Sequence, residues 1–412
     1  MVRLLHMADL HIGVENYGRI DPETGLHTRL IDYLSRLDEA IDLGLRERVD
    51  AVLIAGDIYK NRTPNPTHQR EFAKRIRRLR EAGLPVFILI GNHDVSPTMG
   101  RANSIEIFHT LALDGVTVAA RPGVHRISTA AGDFQIIAMP WVTRHNLLTK
   151  DEMRLASLRE VETTLLERVD RFLQAAVHER DPQIPTVLTV HGTIHGATTG
   201  AEQQMMLDRD LVLPRSVVAL PGVEYVALGH IHRHQVLGEH PPVVYPGSIE
   251  RVDFGEEHEP KGCVIVDLAL GNAEWRFVPL SARPFITLDV DVRKSPEPLA
   301  RVALAIEKRD LQGAVVRIKI QALAEQAELL RPDDIRSMLE EAQAFVVAAV
   351  AVEIERTGRS RLAPDGQDPL EGLTPRRALE LYLRSKTPAL SEDRISALLA
   401  AADELLAEID PR

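Results

Sequence analysis

Short apolar runs that end abruptly in Asp, His or Asn recur five times along this chain. LLHMADLH leads to Asp9 and His11, AVLIAGD to Asp57, VFILIGNHD to Asn92, His93 and Asp94, TVLTVH to His191, and EYVALGHIH to His230 and His232. An unbroken run of this length fits a strand buried on both faces, and in VFILIGNHD Gly91 stops it where the backbone must turn sharply. The polar residues are thereby delivered at a strand's carboxyl end, where open α/β sheets put their chemistry.

Helical periodicity fills the intervals. After a Gly-rich polar loop over 12–27, Leu30, Leu34, Leu37, Ile41 and Leu45 repeat at three- and four-residue steps. The strand Ala51 to Ala55 then completes a βαβ unit, whose crossover is expected to be right-handed. A second helix follows the loop 61–66, with Phe72, Ile76 and Leu79 on one face and Arg70, Lys74, Arg77 and Arg78 on the other. That basic face is a solvated surface by default and a phosphate contact at its sharpest. Asn103 to Leu113 reads as a short helix with Ile105, Phe108 and Leu111 apolar, for core packing or, more specifically, a subunit interface. Strands near 134–139, a helix from about 152 to 178, and strands near 186, 224, 243, 263 and 274 continue the αβ alternation.

Composition shifts near Pro279 to Pro284. Beyond it ITLDVDV, AVVRIKI and FVVAAVAVEI read as strands with helical stretches between them, which makes a small α+β domain over 283–356 after a domain over 1–282. Residues 357–373, rich in Gly, Pro and Asp, form a linker. In the tail, 374–412, Thr374 and Pro375 start one helix, and Ser391, followed by Glu392 and Asp393, caps another. Ile395, Leu398, Leu399, Ala402, Leu405, Leu406 and Ile409 then form a continuous stripe. Burying six such large side chains contributes roughly 10 to 18 kcal/mol gross. Two helices cannot hide that stripe alone, so it docks on the body of the chain or on a partner.

A length of 412 residues allows two or three domains, and a net charge of -11 argues against a surface coated with basic charge. Cys263 is the only cysteine, which excludes a disulfide framework and a zinc finger. The amino-terminal residues carry His6 and Asp9 too early for a signal peptide, and no apolar run is long enough to span a membrane. The expectation is a soluble, cytoplasmic protein.

A lone buried His is more often a hydrogen-bonded core residue than a ligand, but five strand ends that agree reverse those odds. Asp, His and Asn without thiolates suit Mn²⁺, Mg²⁺ or Fe²⁺. Asp9, His11, Asp57, Asn92, His191, His230 and His232 are too many for one ion with open positions and right for two, with Asp57 the choice for a bridging carboxylate. A pair of ions roughly 3.5 to 4 Å apart can clamp the attacking and leaving oxygens of a phosphoryl centre. His93 is the natural donor of a proton to the leaving oxygen.

Asp9-Leu10-His11, Gly56-Asp57, Gly91-Asn92-His93-Asp94, His191-Gly192 and Gly229-His230-Ile231-His232 resemble the ordered motifs of calcineurin-like metallophosphoesterases. The resemblance implies an α/β fold of two packed β-sheets flanked by helices. It also implies one ion on Asp9, His11, Asp57 and His232, a second on Asp57, Asn92, His191 and His230, and His93 and Asp94 as catalytic residues. Tyr245-Pro246-Gly247-Ser248 running into Glu250-Arg251-Val252-Asp253-Phe254-Gly255-Glu256 is similar to the SbcD branch, DNA-repair exonuclease subunits. That likeness implies an Mn²⁺-dependent exonuclease and endonuclease, with Mg²⁺ as the alternative ion, acting as a homodimer on DNA double-strand ends and hairpins at the nucleoid. It further implies an SbcC-type coiled-coil ATPase bound through residues 374–412 and an α+β domain capping the cleft. Lys60 departs from the pattern, because related enzymes usually carry a His or Asp there, which leaves open what orients His93. The competing readings are a small-molecule phosphodiesterase or phosphatase of the same fold and a metal-free scaffold. The scaffold is disfavoured because no ligand is missing.

Overall fold

The computed structural model describes residues 1–96, 102–142, 158–200, 210–355, 375–384 and 391–409. In chain order the first strands and helices are β1 (Val2–Met7), α1 (Thr28–Arg46), β2 (Ala51–Ile54), α2 (Pro66–Glu81), β3 (Val86–Leu89), α3 (Glu106–Thr110) and β4 (Val116–Ala119). There follow β5 (Gly123–Thr129), β6 (Gly132–Met139), α4 (Leu158–Glu179), β7 (Thr186–His191), β8 (Thr193–Ile194), β9 (Val212–Leu213) and β10 (Tyr225–Gly229). Next come β11 (Gln235–Glu239), β12 (Pro242–Tyr245), β13 (Gly262–Ala269) and β14 (Asn272–Pro279). Two six-stranded sheets result, in the orders β14-β13-β1-β2-β3-β4 and β11-β12-β10-β7-β6-β5. β1, β2, β3 and β4 pair in parallel, as do β6, β7, β10 and β12.

Strand alternation assigns each apolar side chain to a layer. Leu4, Leu53, Phe87 and Leu89 of the first sheet meet Phe134, Ile136, Val187, Tyr225 and Val244 of the second in one buried cluster between the sheets. Their neighbours Leu5, Val52, Ile54, Val86 and Ile88 point the other way and pack with Leu30, Leu34, Leu37, Phe72, Ile76 and Leu79 of α1 and α2. On the far side of the second sheet, Ile137, Leu188, Val190 and Val226 pack with Val169, Leu173 and Ala176 of α4. Because both faces are covered, β2 and β3 are apolar throughout, and the polar His6 of β1 is buried only with partners, the Tyr225 hydroxyl and the Leu228 carbonyl.

The helices begin where their caps allow. Asn65 accepts a hydrogen bond from the amide of His68, and Pro66 occupies the first turn of α2. The basic face of α2 is committed to ion pairs: Arg70 and Lys74 with Glu71, Arg77 with Glu81, and Arg78 with Asp42. It is a paired, solvated surface and offers no free row of charges to phosphate. The helix expected over 103–113 shortens to Glu106–Thr110, with Ile105 and Phe108 buried but Leu111 63% exposed, so Leu111 is not a core residue. Residues 152–157 of the expected long helix lie outside the described residues.

After Pro279 come β15 (Phe285–Asp291), α5 (Pro298–Glu307), β16 (Val315–Leu323), α6 (Pro332–Glu341) and β17 (Val346–Glu355), with the three strands forming one sheet in that order. The chain divides into two compact units. One comprises Met1–Leu288, Ala303–Ile318 and Asp333–Val350, and the other Asp289–Val302, Lys319–Pro332 and Ala351–Arg412.

In the second unit α7 (Pro375–Arg384) and α8 (Glu392–Ile409) pack on each other through Leu379, Leu383, Ile395 and Leu399. Arg376 pairs with Asp403 and Arg384 with Glu392. Ser391 caps α8, its hydroxyl accepting the Arg394 amide. Leu398, on the same helix, is 37% exposed. Thr374 and the linker 357–373 lie outside the described residues. No described helix is long and apolar enough to cross a membrane.

Candidate metal centre

The strand ends converge. Asp9 and His11 follow β1, Asp57 follows β2, Asn92 follows β3, His191 ends β7, and His230 and His232 follow β10, so the carboxyl ends of both sheets contribute. Three overlapping sets have their candidate ligand atoms within 4.8 Å of one another: Asp9, His11 and His232; His11, Asp57 and His93; and Asp57, His191 and His230. Asp57 is shared by two of them. His191 Nε2 lies 3.4 Å and His11 Nε2 3.8 Å from Asp57 Oδ2. Asn92 Oδ1 stands 3.0 Å from both His191 Nε2 and His230 Nδ1.

The backbone is bent to achieve this. Asp9, His11, Asp57 and His230 have φ of 53°, 41°, 53° and 104°. Non-glycine residues in this region carry about 1 to 3 kcal/mol of strain each, and such strain clusters at functional sites. Gly56, at φ 99°, and Gly91 have no room for a side chain: a Cβ on Gly56 would overlap the His191 ring, and one on Gly91 would overlap the Asp57 carboxylate.

Hydrogen bonds fix which ring nitrogens face the pocket. His191 Nδ1 donates to the Ala55 carbonyl at 2.7 Å, leaving Nε2 toward Asp57 and Asn92. His230 Nε2 donates to Asp210 Oδ2 at 2.8 Å, so its Nδ1 faces the Asn92 oxygen, acceptor against acceptor. His232 Nδ1 donates to Glu256 Oε1 at 2.6 Å, and its Nε2 stands 2.9 Å from His11 Nε2. Facing acceptors such as His230 Nδ1 and Asn92 Oδ1 in a buried pocket suit a cation between them.

Charge points the same way. Burial opposes ionisation of Asp57, but His191, by charge and by hydrogen bond, with His93 and His11, holds it well below the usual carboxylate range. Burial works against a proton on His191 as well, yet Asp57 and Asp9 raise it to about 9, so the pocket calls for positive charge. Burial and the neighbouring His232 lower His11 well below its ordinary value, which leaves its imidazole neutral and able to bind a metal.

His93 has its amide on Asp57 Oδ1 at 2.8 Å, and its Nδ1 donates to the backbone carbonyl of Lys60 at 2.6 Å. The residue that seemed out of place thus orients His93 through its main chain, and its side-chain identity does not enter. Asp94 faces main-chain amides. It is fully buried, and its two oxygens accept the amides of Ile58, Tyr59 and Gly91. Burial and the Asp57 charge push it up to about 7 while the Gly91 and Tyr59 amides pull it down. It ties the loops that carry Asp57 and Asn92.

The sequence patterns do not single out Asp210, Lys261 or Trp141, and they give Glu256 no role at the site. The indole of Trp141 lies 4.9 Å from the His230 ring and 6.1 Å from that of His191. Lys261 Nζ pairs with Glu256 Oε2 at 2.9 Å. Burial alone would raise Glu256, but Lys261 and His232 hold it below the ordinary carboxylate range.

The family model for calcineurin-like phosphoesterases matches residues 2–234, more than half of the chain and a span within which all seven candidate ligands lie. The chain belongs to this family. Members of the calcineurin-like phosphoesterase family are hydrolases built around a dimetal centre, and the sets of Asp and His described above can hold metal ions. Among relatives, the chain is 27% identical over 275 residues to the uncharacterized metallophosphoesterase YhaO of Bacillus subtilis. It is 26% identical over 284 residues to the SbcD component of the nuclease SbcCD of Escherichia coli, and 25% identical over 299 residues to the DNA double-strand break repair protein Mre11 of Aeropyrum pernix. The matches cover 66%, 66% and 71% of this chain and 59%, 66% and 64% of those relatives, so the chain spans about two thirds of their length or less.

Proposed function

We propose that this chain is a metal-dependent DNA nuclease of the SbcD type, hydrolysing phosphodiester bonds as exonuclease and endonuclease at double-strand ends and hairpins. The observation that carries the proposal is the convergence of Asp9, His11, Asp57, Asn92, His191, His230 and His232 on one pocket, in a chain whose relatives are named as nuclease and double-strand break repair proteins. One ion is assigned to Asp9, His11, Asp57 and His232, the other to Asp57, Asn92, His191 and His230. The oxygen and imidazole donors favour Mn²⁺, with Mg²⁺ second. Bound there, the ions supply Lewis acidity toward the phosphoryl oxygens and lower the pKa of water.

The chain's own residues do the rest. Asp57, held ionised, is available to both ion sites. His93, hinged on the Lys60 carbonyl and close to His11 and Asp57, donates the proton that the leaving oxygen needs. Trp141 packs beside the rings of His191 and His230. In this reading residues 283–356 form an α+β domain that binds DNA. The exposed Leu398 belongs to the apolar stripe of a helix pair, 374–412, that binds an SbcC-type coiled-coil ATPase, and the nuclease works as a homodimer at the nucleoid.

Incubation with linear duplex DNA in Mn²⁺, beside bis-p-nitrophenyl phosphate, tests the substrate. Degradation of both is expected. Hydrolysis of the small ester with duplex and hairpin DNA left intact would instead support a small-molecule phosphodiesterase.

A further inference from the structure

Lys261 is fully buried, and its ammonium makes three contacts: Glu256 Oε2 at 2.9 Å, Glu259 Oε2 at 3.0 Å and the His232 carbonyl at 3.1 Å. A lysine is among the residues least often buried, and a core that only needed volume here would take Met or Leu. Glu256, also fully buried, has both oxygens committed, Oε2 to the Val252 amide and Lys261 and Oε1 to His232 Nδ1. The His232 carbonyl is held again by the Ser248 amide at 3.0 Å, with Gly247 too close to it to carry a side chain. One cation therefore grips His232 twice, at its main chain directly and at its ring through Glu256.

The other ring orienters differ. His191 rests on a neutral carbonyl, Ala55, and His230 on Asp210. Among the described residues, only the carboxylate behind His232 is backed by a buried ammonium.

We infer that Lys261 and Glu256 are positioning residues for one half of the metal centre, fixing His232 for the ion it would share with Asp9 and His11. The inference rests on the dimetal reading above. A carboxylate hydrogen-bonded to a ligating imidazole both orients the ring and strengthens its free nitrogen as a donor, and losing such a partner typically weakens metal affinity by about 10- to 100-fold. Replacing the pair by neutral side chains should thus weaken one ion and spare the other. A purely structural role would lower thermal stability without distinguishing the two.

The test is Mn²⁺ titration of the full chain by calorimetry, with the melting temperature of each metal-free protein recorded alongside. Lys261→Met alone strands a buried carboxylate, so the informative variants are Glu256→Gln and the double variant Glu256→Gln/Lys261→Met. The expected result is two Mn²⁺ per wild-type chain, and in both variants one ion weakened by about 10- to 100-fold with the other unchanged. Wild-type affinity for both ions in the two variants would overturn the inference and leave the dimetal reading intact. A wild-type chain that takes up no Mn²⁺ would overturn both.

Discussion

Gly91→Ala tests how tightly the pocket is built. A Cβ at this position would lie 2.5 Å from the Asp57 amide nitrogen and 2.8 Å from His191 Cε1, and closer still to Asp57 Oδ1. Ordinary contact begins near 3.4 Å, so these groups must move by the better part of an ångström, and one of them is main chain. Overpacking of this kind costs about 1 to 3 kcal/mol. At roughly 2 to 4 °C per kcal/mol for a domain of this size, the metal-free protein should melt about 2 to 12 °C lower. The larger effect falls on metal, because ligand positions are tolerated only to about 0.2 Å. Wild-type protein at a hundredfold excess of Mn²⁺ over its dissociation constant gains about 2.7 kcal/mol of stability, and Gly91→Ala should lose most of that gain. Differential scanning fluorimetry with and without Mn²⁺ measures both quantities. Gly192→Ala is the control, since a Cβ there meets nothing within 4 Å. A Gly91→Ala protein with a wild-type Mn²⁺-induced rise in melting temperature would refute the packing argument.

Other expectations follow from the same geometry. His93→Ala should bind Mn²⁺ much as wild type does while losing about 10²- to 10⁴-fold in turnover of bis-p-nitrophenyl phosphate, and near-normal turnover would take His93 out of proton transfer. Lys60→Ala should leave turnover of that ester close to wild type, because the contact to His93 comes from the carbonyl. A loss as large as that of His93→Ala would give the side chain a role. Removing 374–412 should spare ester hydrolysis and abolish co-purification of a large coiled-coil ATPase. Unchanged co-purification would mean that the stripe on α8 serves contacts within this chain.

The strands and the seven candidate ligands were legible because two requirements coincide in the sequence. Central strands covered on both faces are mostly apolar, so each of the five runs stands out, and each stops at the polar residues that form the candidate pocket. The sheet order was not legible, since it depends on long-range pairing between runs of similar composition. The supporting roles of Asp210 and Glu256 are not legible because an acid that supports a ligand has no neighbour in sequence to mark it. Glu256 lies within a stretch that had drawn attention, but nothing local ties it to His232, 24 residues away. The orienter of His93 was invisible for another reason: it is a main-chain carbonyl, which any residue at position 60 would supply. Side-chain pattern likewise could not show the buried hydrogen bonds of Asp94 to three amides, which depend on how two loops meet.

The central claim is a pair of divalent cations held by one pocket. Anomalous scattering from crystals grown with Mn²⁺ measures it directly. Two peaks are predicted, one contacted by Asp9, His11 and His232, the other by Asn92, His191 and His230, with Asp57 touching both. A single peak, or peaks away from Asp57, would contradict the account.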